Sequence, residues 1–142
     1  MRLNERERGM NMAVTQITIL VRSTEIDVNG HVNNAKYLEY YEWGREDWYE
    51  QHGLPYDTLR EAGVITVVAR AEVDYRSPAK QNDQLTITSW VSQIGRKSFR
   101  MKQRITGTNG HLISEAVFVI VTVHPETGIP VPVPDVIAQH TN

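Results

Sequence analysis

Asp27, Asn29, His31, Asn33 and Asn34 place five hydrogen-bonding side chains within eight consecutive positions of a 142-residue chain. The stretch that opens this cluster, STEIDVNGH, is polar and holds a glycine, so it reads as a loop. It feeds directly into eighteen residues without proline, AKYLEYYEWGREDWYEQH, for which Asn33 or Asn34 is a suitable N-cap. A helix N-terminus offers unpaired backbone N–H groups and about half a positive charge. A carbonyl oxygen placed there finds donors ready for the negative charge it gains on becoming tetrahedral. A carboxylate a few residues upstream, Asp27, can activate water or attack the carbon directly. Acid–base group plus oxyanion site is the minimum equipment for acyl transfer. The residues alone leave a plainer alternative open, in which Asp27 and the asparagines only cap the helix and shape the turn.

The elements that must position this cluster are legible in outline. Residues 13–22, AVTQITILVR, are rich in β-branched side chains and fit a strand. In the long helix Tyr37, Leu38, Tyr41, Gly44, Arg45 and Trp48 recur at three- and four-residue spacing, which predicts one apolar, aromatic stripe. Gly53 stands where a C′ glycine would end it. Gly44, mid-helix, costs about 1 kcal/mol relative to alanine, a cost that makes sense if the helix backbone lies close against a sheet. A short second helix is predicted over residues 56–62. Four β-rich stretches follow at 65–75, 84–94, 98–106 and 112–123, with turn signals at Ser77-Pro78, Ile94-Gly95 and Asn109-Gly110. One strand, one long helix and four antiparallel strands is an α+β order. The tail HPETGIPVPVPD, punctuated by proline, predicts an extended path along the surface. Residues 1–12 alternate Arg and Glu without apolar periodicity and read as a flexible leader, with Met12 an alternative start.

Composition narrows the function classes. Hydrophobic residues make up 40% and charged residues 23%, the ordinary globular mix, which argues against disorder. A net charge of −2 supplies no basic field for nucleic acid. The absence of cysteine removes disulfides, thiolate nucleophiles and Cys-based metal sites. His52, His111, His124 and His140 show no paired ligand spacing, so no metal is expected. The apolar runs are too short to span a bilayer, and the charged start lacks the apolar centre of a secretory signal. A cytoplasmic protein without a membrane partner is the expectation.

The segment EIDVNGHVNNAKYLEYYEWGRED closely resembles the signature of hotdog-fold thioesterases of the 4-hydroxybenzoyl-CoA thioesterase type, and looks especially like the bacterial long-chain acyl-CoA thioesterases. Its Asp-x-Asn-x-His-Val-Asn-Asn core is also similar to plant acyl-carrier-protein thioesterases. The resemblance continues through VDYRSPAKQNDQLTI (73–87), GRKSF (95–99) and TGIPVPVP (127–134), and so covers about residues 14 to 135. It implies a hotdog fold over residues 13–142, with a long central helix wrapped by a five-stranded antiparallel sheet. It further implies hydrolysis of an acyl-CoA thioester, with Asp27 as base or nucleophile and the backbone N–H of Asn34 as oxyanion donor. Asn29 and His31 match positions implicated in the plant branch. Arg96, Lys97 and Ser98 fall where the family meets the phosphates of coenzyme A, chemistry that suits a guanidinium, an ammonium and a hydroxyl. Coenzyme A enters only as part of the substrate, and no cofactor is implied. Homodimers or homotetramers are implied as well, the site being built from two chains.

Other readings of the same residues remain. A hotdog hydratase or dehydratase also uses an Asp with a nearby His, and a non-catalytic acyl-thioester-binding module would keep the fold without turnover. Glu42 lies eleven residues after His31 and could share its helix face, but an (i, i+3) pair with Arg45 is the simpler expectation. Tyr37, Tyr40, Tyr41, Trp43, Trp48 and Tyr49 either line an acyl tunnel or form core. Arg76 and Lys80 are weaker candidates for phosphate.

Overall fold

The computed structural model describes residues 13–142; the leader expected at residues 1–12 lies outside the described residues. Strand β1 (Val14–Leu20) leads through a 3-10 turn at Ser23–Glu25 to helix α1 (Asn34–Gln51) and a short α2 (Tyr56–Glu61). Strands β2 (Ile65–Tyr75), β3 (Gln84–Ile94), β4 (Ser98–Thr106) and β5 (Leu112–Val123) follow, then a one-turn α3 (Asp135–Ala138). All five strands form one antiparallel sheet in the order β1-β3-β4-β5-β2. The strand limits match the β-rich runs because each run is bounded by its own turn residues. This is the wrapped-helix architecture of the hotdog fold.

Asn33 is the N-cap of α1, its side chain accepting from the Ala35 N–H at 2.9 Å. The buried face of α1 is Tyr37, Tyr40, Tyr41, Gly44, Arg45, Trp48 and Tyr49. Leu38, expected on that stripe, is instead 44% exposed. It sits one step round the helix from Tyr37 and Tyr41, and the wide aromatic rings on the other flank claim the sheet. Trp48, Tyr40 and Tyr41 are 0% exposed, so these rings are core rather than tunnel wall. Burying a large apolar side chain contributes about 1.5–3 kcal/mol.

Gly44 explains how closely the helix sits. A Cβ there would meet Ile87 Cγ2 at 2.7 Å, Gln103 Nε2 at 2.8 Å and Ser89 Oγ at 2.9 Å. The buried Gln103 exploits this approach, donating from Nε2 to Tyr41 O at 2.9 Å and Ser89 Oγ at 2.8 Å. Its Oε1 accepts from Arg45 Nη1 at 3.2 Å, and the Arg45 guanidinium lies 4.2 Å from the centre of the Phe118 ring. Arg45 therefore turns inward and forms no ion pair with the exposed Glu42, contrary to the expected (i, i+3) pairing. Tyr41 Oη donates to Ser114 Oγ at 2.6 Å, and Ser114 Oγ donates to Asp74 O at 2.8 Å, tying the helix to β5 and β2.

The proline-rich tail does more than run along the surface. Val131 N donates to Thr122 O at 2.8 Å and Val133 N to Arg96 O at 3.0 Å, so the chain folds back on β5 and on the β3–β4 turn. The unforeseen α3 follows and buries Ile137 completely.

Candidate active site at the start of the central helix

The loop between β1 and α1 closes on itself around Asp27. The Asp27 N–H donates to His31 O at 2.8 Å, and the Gly30 N–H to Asp27 O at 3.1 Å. Asp27 Oδ1 accepts from the Asn29 N–H at 2.9 Å and from the His31 N–H at 3.3 Å. An isolated bridge between Ile26 and Val32 closes the base of this finger. Gly30 has φ +77°, a left-handed conformation that admits glycine without cost. The plainer reading of Asp27 thus holds for one of its oxygens, which shapes the turn. Oδ2 makes no hydrogen bond among the described residues.

The finger is tied to the rest of the molecule on two sides. The Val32 N–H donates to Ala79 O at 2.8 Å, and the Asn33 N–H to Glu25 O at 2.9 Å. Beyond the cap, the Lys36 N–H takes Asn33 O at 2.9 Å. The N–H of Asn34, the first helical residue, has no partner among the described residues and is the free donor of the helix N-terminus.

Asp27, Asn29, His31 and Asn34 all line one cleft of about 320 Å³. Four of the five residues of the sequence cluster therefore share this cleft, and the fifth, Asn33, serves as the cap. His31 is half-buried, and its ring makes no hydrogen bond among the described residues, while its backbone serves Asp27 in both directions. Sequence reasoning missed the opposite wall: Tyr75, Arg76, Ser77 and Pro78, at and just after the end of β2, complete the cleft. Tyr75 Oη donates to Asn34 O at 3.3 Å, and its ring packs edge-on against Tyr37 at 5.2 Å. The block VDYRSP carried the signal, but only the fold shows what it faces. Arg76 is occupied by Glu115 at 2.8 Å and Asp74 at 3.5 Å, which hold it charged and engaged.

Arg96, Lys97 and Ser98 are not brought to this cleft within one chain. The finger follows β1, whose last residue Leu20 pairs with Gln84 at the start of β3, whereas Arg96 follows the end of β3. The 11 residues of β3 separate the two ends by about 35 Å at the usual rise per residue. The turn itself is well fixed: the Gly95 N–H donates to Ser98 O at 2.7 Å, and Lys97 O accepts from Thr122 N at 3.1 Å. The side chains of Arg96 and Lys97 are exposed.

Among the described residues no group of three His, Cys, Asp or Glu side chains converges as a metal site, and no helix is long and apolar enough to cross a membrane.

The chain is similar to known thioesterases. The long-chain acyl-CoA thioesterase FadM of Escherichia coli K12 is 35% identical over 113 residues, which are 79% of this chain and 85% of FadM. The acyl-CoA thioester hydrolase YbgC of Escherichia coli O6:H1 is 28% identical over 116 residues, 82% of this chain and 87% of YbgC. A thioesterase of Thermus thermophilus, solved in complex with coenzyme A and Zn, superposes with a TM-score of 0.74 at 34% identity, covering 88% of this chain and 89% of that one. The thioesterase-like superfamily matches residues 21–140, which takes in the Asp27 finger, the central helix and every strand but β1, and the chain belongs to that family.

Proposed function

We propose that the chain hydrolyses acyl-CoA thioesters, with Asp27 and the Asn34 N–H as its working groups. The observation that carries this reading is the shared cleft, lined by a residue with an uncommitted carboxylate oxygen and by one with a free helix N-terminal donor. Asp27 Oδ2 takes a proton from water as the water oxygen bonds to the thioester carbon. The carbonyl oxygen gains charge against the Asn34 N–H and the positive end of α1. Collapse of the tetrahedral intermediate breaks the C–S bond, and the thiolate recovers the proton from Asp27, giving free acid and coenzyme A. Asn29 holds Asp27 through its N–H, and His31 orients the water. Coenzyme A serves as part of the substrate, and the steps call on no metal or redox cofactor.

A second copy of the chain completes the proposed site. Among the described residues strand β2 pairs only with β5, and its other edge is open, with Val67 45% and Val68 44% exposed. An open, apolar edge invites pairing. Antiparallel pairing of β2 with β2 of a twofold-related copy reverses the strand direction, so the Tyr75 end of one chain meets the Ile65 end of the other. The β3–β4 turn lies at that Ile65 end, because Ile65 pairs with Val123 and Ser98 with Val121. Arg96 and Lys97 of one copy would then lie on the side of the sheet that holds Asp27 of the other, as a grip for nucleotide phosphates.

A thiol-release screen with acetyl-, palmitoyl-, benzoyl- and crotonyl-CoA tests the function. Free thiol from at least one of them, with free acid as co-product, is expected. Loss of crotonyl absorbance without free thiol would point instead to a hydratase, and binding of all four without turnover to a carrier.

A further inference from the structure

Glu25 is a carboxylate in a polar loop, yet it is only 8% exposed. A buried charge is expensive unless its surroundings use it, and among the described residues no Lys, Arg or His forms an ion pair with it. Its hydrogen bonds run in two directions. Oε1 accepts from the Arg22 N–H at 2.8 Å, and its own N–H donates to Arg22 O at 3.0 Å, which binds it to the end of β1. Its carbonyl accepts from Asn33, the N-cap of α1, at 2.9 Å. Tyr40, in the second turn of α1, is fully buried and its Oη makes no hydrogen bond among the described residues; burial first, and the Glu25 charge second, push its phenol up.

Asp27 has no comparable tie. Every hydrogen bond it makes among the described residues stays within residues 27–31. Nothing in those bonds fixes the finger relative to the helix whose N–H it must work with. We infer that Glu25 is the positioning residue of the site, setting the distance between the Asp27 carboxylate and the Asn34 N–H by joining the end of β1 to the base of the finger and the cap of α1. The inference rests on the role given to Asp27 above and adds a residue two positions upstream that touches no substrate. Displacing one reacting group by about 1 Å costs up to about 100-fold in rate, so the effect belongs in kcat.

The test uses the whole chain and the best-turned-over CoA thioester of the screen, with near-ultraviolet circular dichroism to confirm folding. Glu25→Ala is expected to lower kcat about 10- to 100-fold with KM within about twofold. Glu25→Gln keeps an oxygen for the Arg22 N–H and is expected to recover most of that loss. Glu25→Asp, which keeps the charge but shortens the reach, is expected to fall with Glu25→Ala and serves if the alanine variant does not fold. In an Asp27→Asn background, Glu25→Ala is expected to lower the residual rate less than about twofold, because its partner is already disabled. Wild-type kcat in folded Glu25→Ala or Glu25→Asp would overturn the inference, as would a Gln variant no better than Ala. A full second loss in the Asp27→Asn background would overturn it too. Wild-type turnover by Asp27→Asn alone would instead overturn the role of Asp27.

Discussion

At the end of the sheet where β1 stops and β3 starts, side chains and backbone are knitted together. Asp27 is held by Asn29 and His31, the finger by Ala79 and Glu25, and Asn34 by the helix it begins. At the opposite end, the turn that carries Arg96 and Lys97 is held only through its backbone, by Val133 and Thr122, while both cationic side chains reach freely into solvent. The difference fits two kinds of work. Bond-making needs groups fixed to a fraction of an ångström, whereas long cationic side chains can grip phosphates from a firm base with no fixed geometry of their own.

The sharpest way to break this contrast is Asp27→Asn, which leaves the turn an acceptor oxygen but removes the proposed base. A loss of about 10²–10⁴ in kcat is expected in a thiol-release assay, with the fold intact by circular dichroism. Arg96→Ala with Lys97→Ala should act on the other parameter. KM for acyl-CoA is expected to rise about tenfold with kcat nearly unchanged, since exposed charge pairs bind ground and transition states alike. An acyl-N-acetylcysteamine substrate, which has no nucleotide phosphates, should not register the change. His31→Ala, at the fixed end but engaged through its backbone, is expected to lower kcat less than about tenfold.

Between the two ends lies the helix contact at Gly44. Gly44→Ala drives a methyl group into Ile87, Gln103 and Ser89, and a loss of about 1–3 kcal/mol is expected in chemical denaturation. The smallest effect belongs to His140, whose ring centre lies 4.2 Å from that of His52. Burial first, and His52 second, hold its pKa below the ordinary histidine value, so the fold favours the neutral ring. The unfolded chain then binds more protons, and stability falls as pH drops through the ordinary value of about 6.5. His140→Gln is expected to flatten that part of a Tm-against-pH profile without moving kcat.

The contrast between the ends was only half legible in the sequence. Strand limits could be read because β-branched runs are bounded by Ser77-Pro78, Gly95 and Asn109-Gly110, all local signals. The Asp27 cluster could be read because cap and turn residues act within a few positions. Register is not local: nothing in GRKSF says that the run leaves β3 at the end away from Asp27. Leu38 was misplaced for a related reason, since helical spacing marks a face but not which neighbouring rings displace it. Glu25 reads as one more polar loop residue, and its burial follows from the fold rather than from any local pattern. The outward Glu42 and inward Arg45 likewise depend on Gln103, far along the chain.

A mixed pair of variants tests most directly whether the two ends of the sheet meet across copies. Differently tagged Asp27→Asn and Arg96→Ala/Lys97→Ala chains are co-expressed, purified through both tags and assayed at acyl-CoA concentrations below KM. A site shared between copies leaves one intact site in each mixed pair, so about half the wild-type kcat/KM is expected. Activity no higher than that of the Arg96→Ala/Lys97→Ala protein alone would contradict the shared site and return both ends to the same chain.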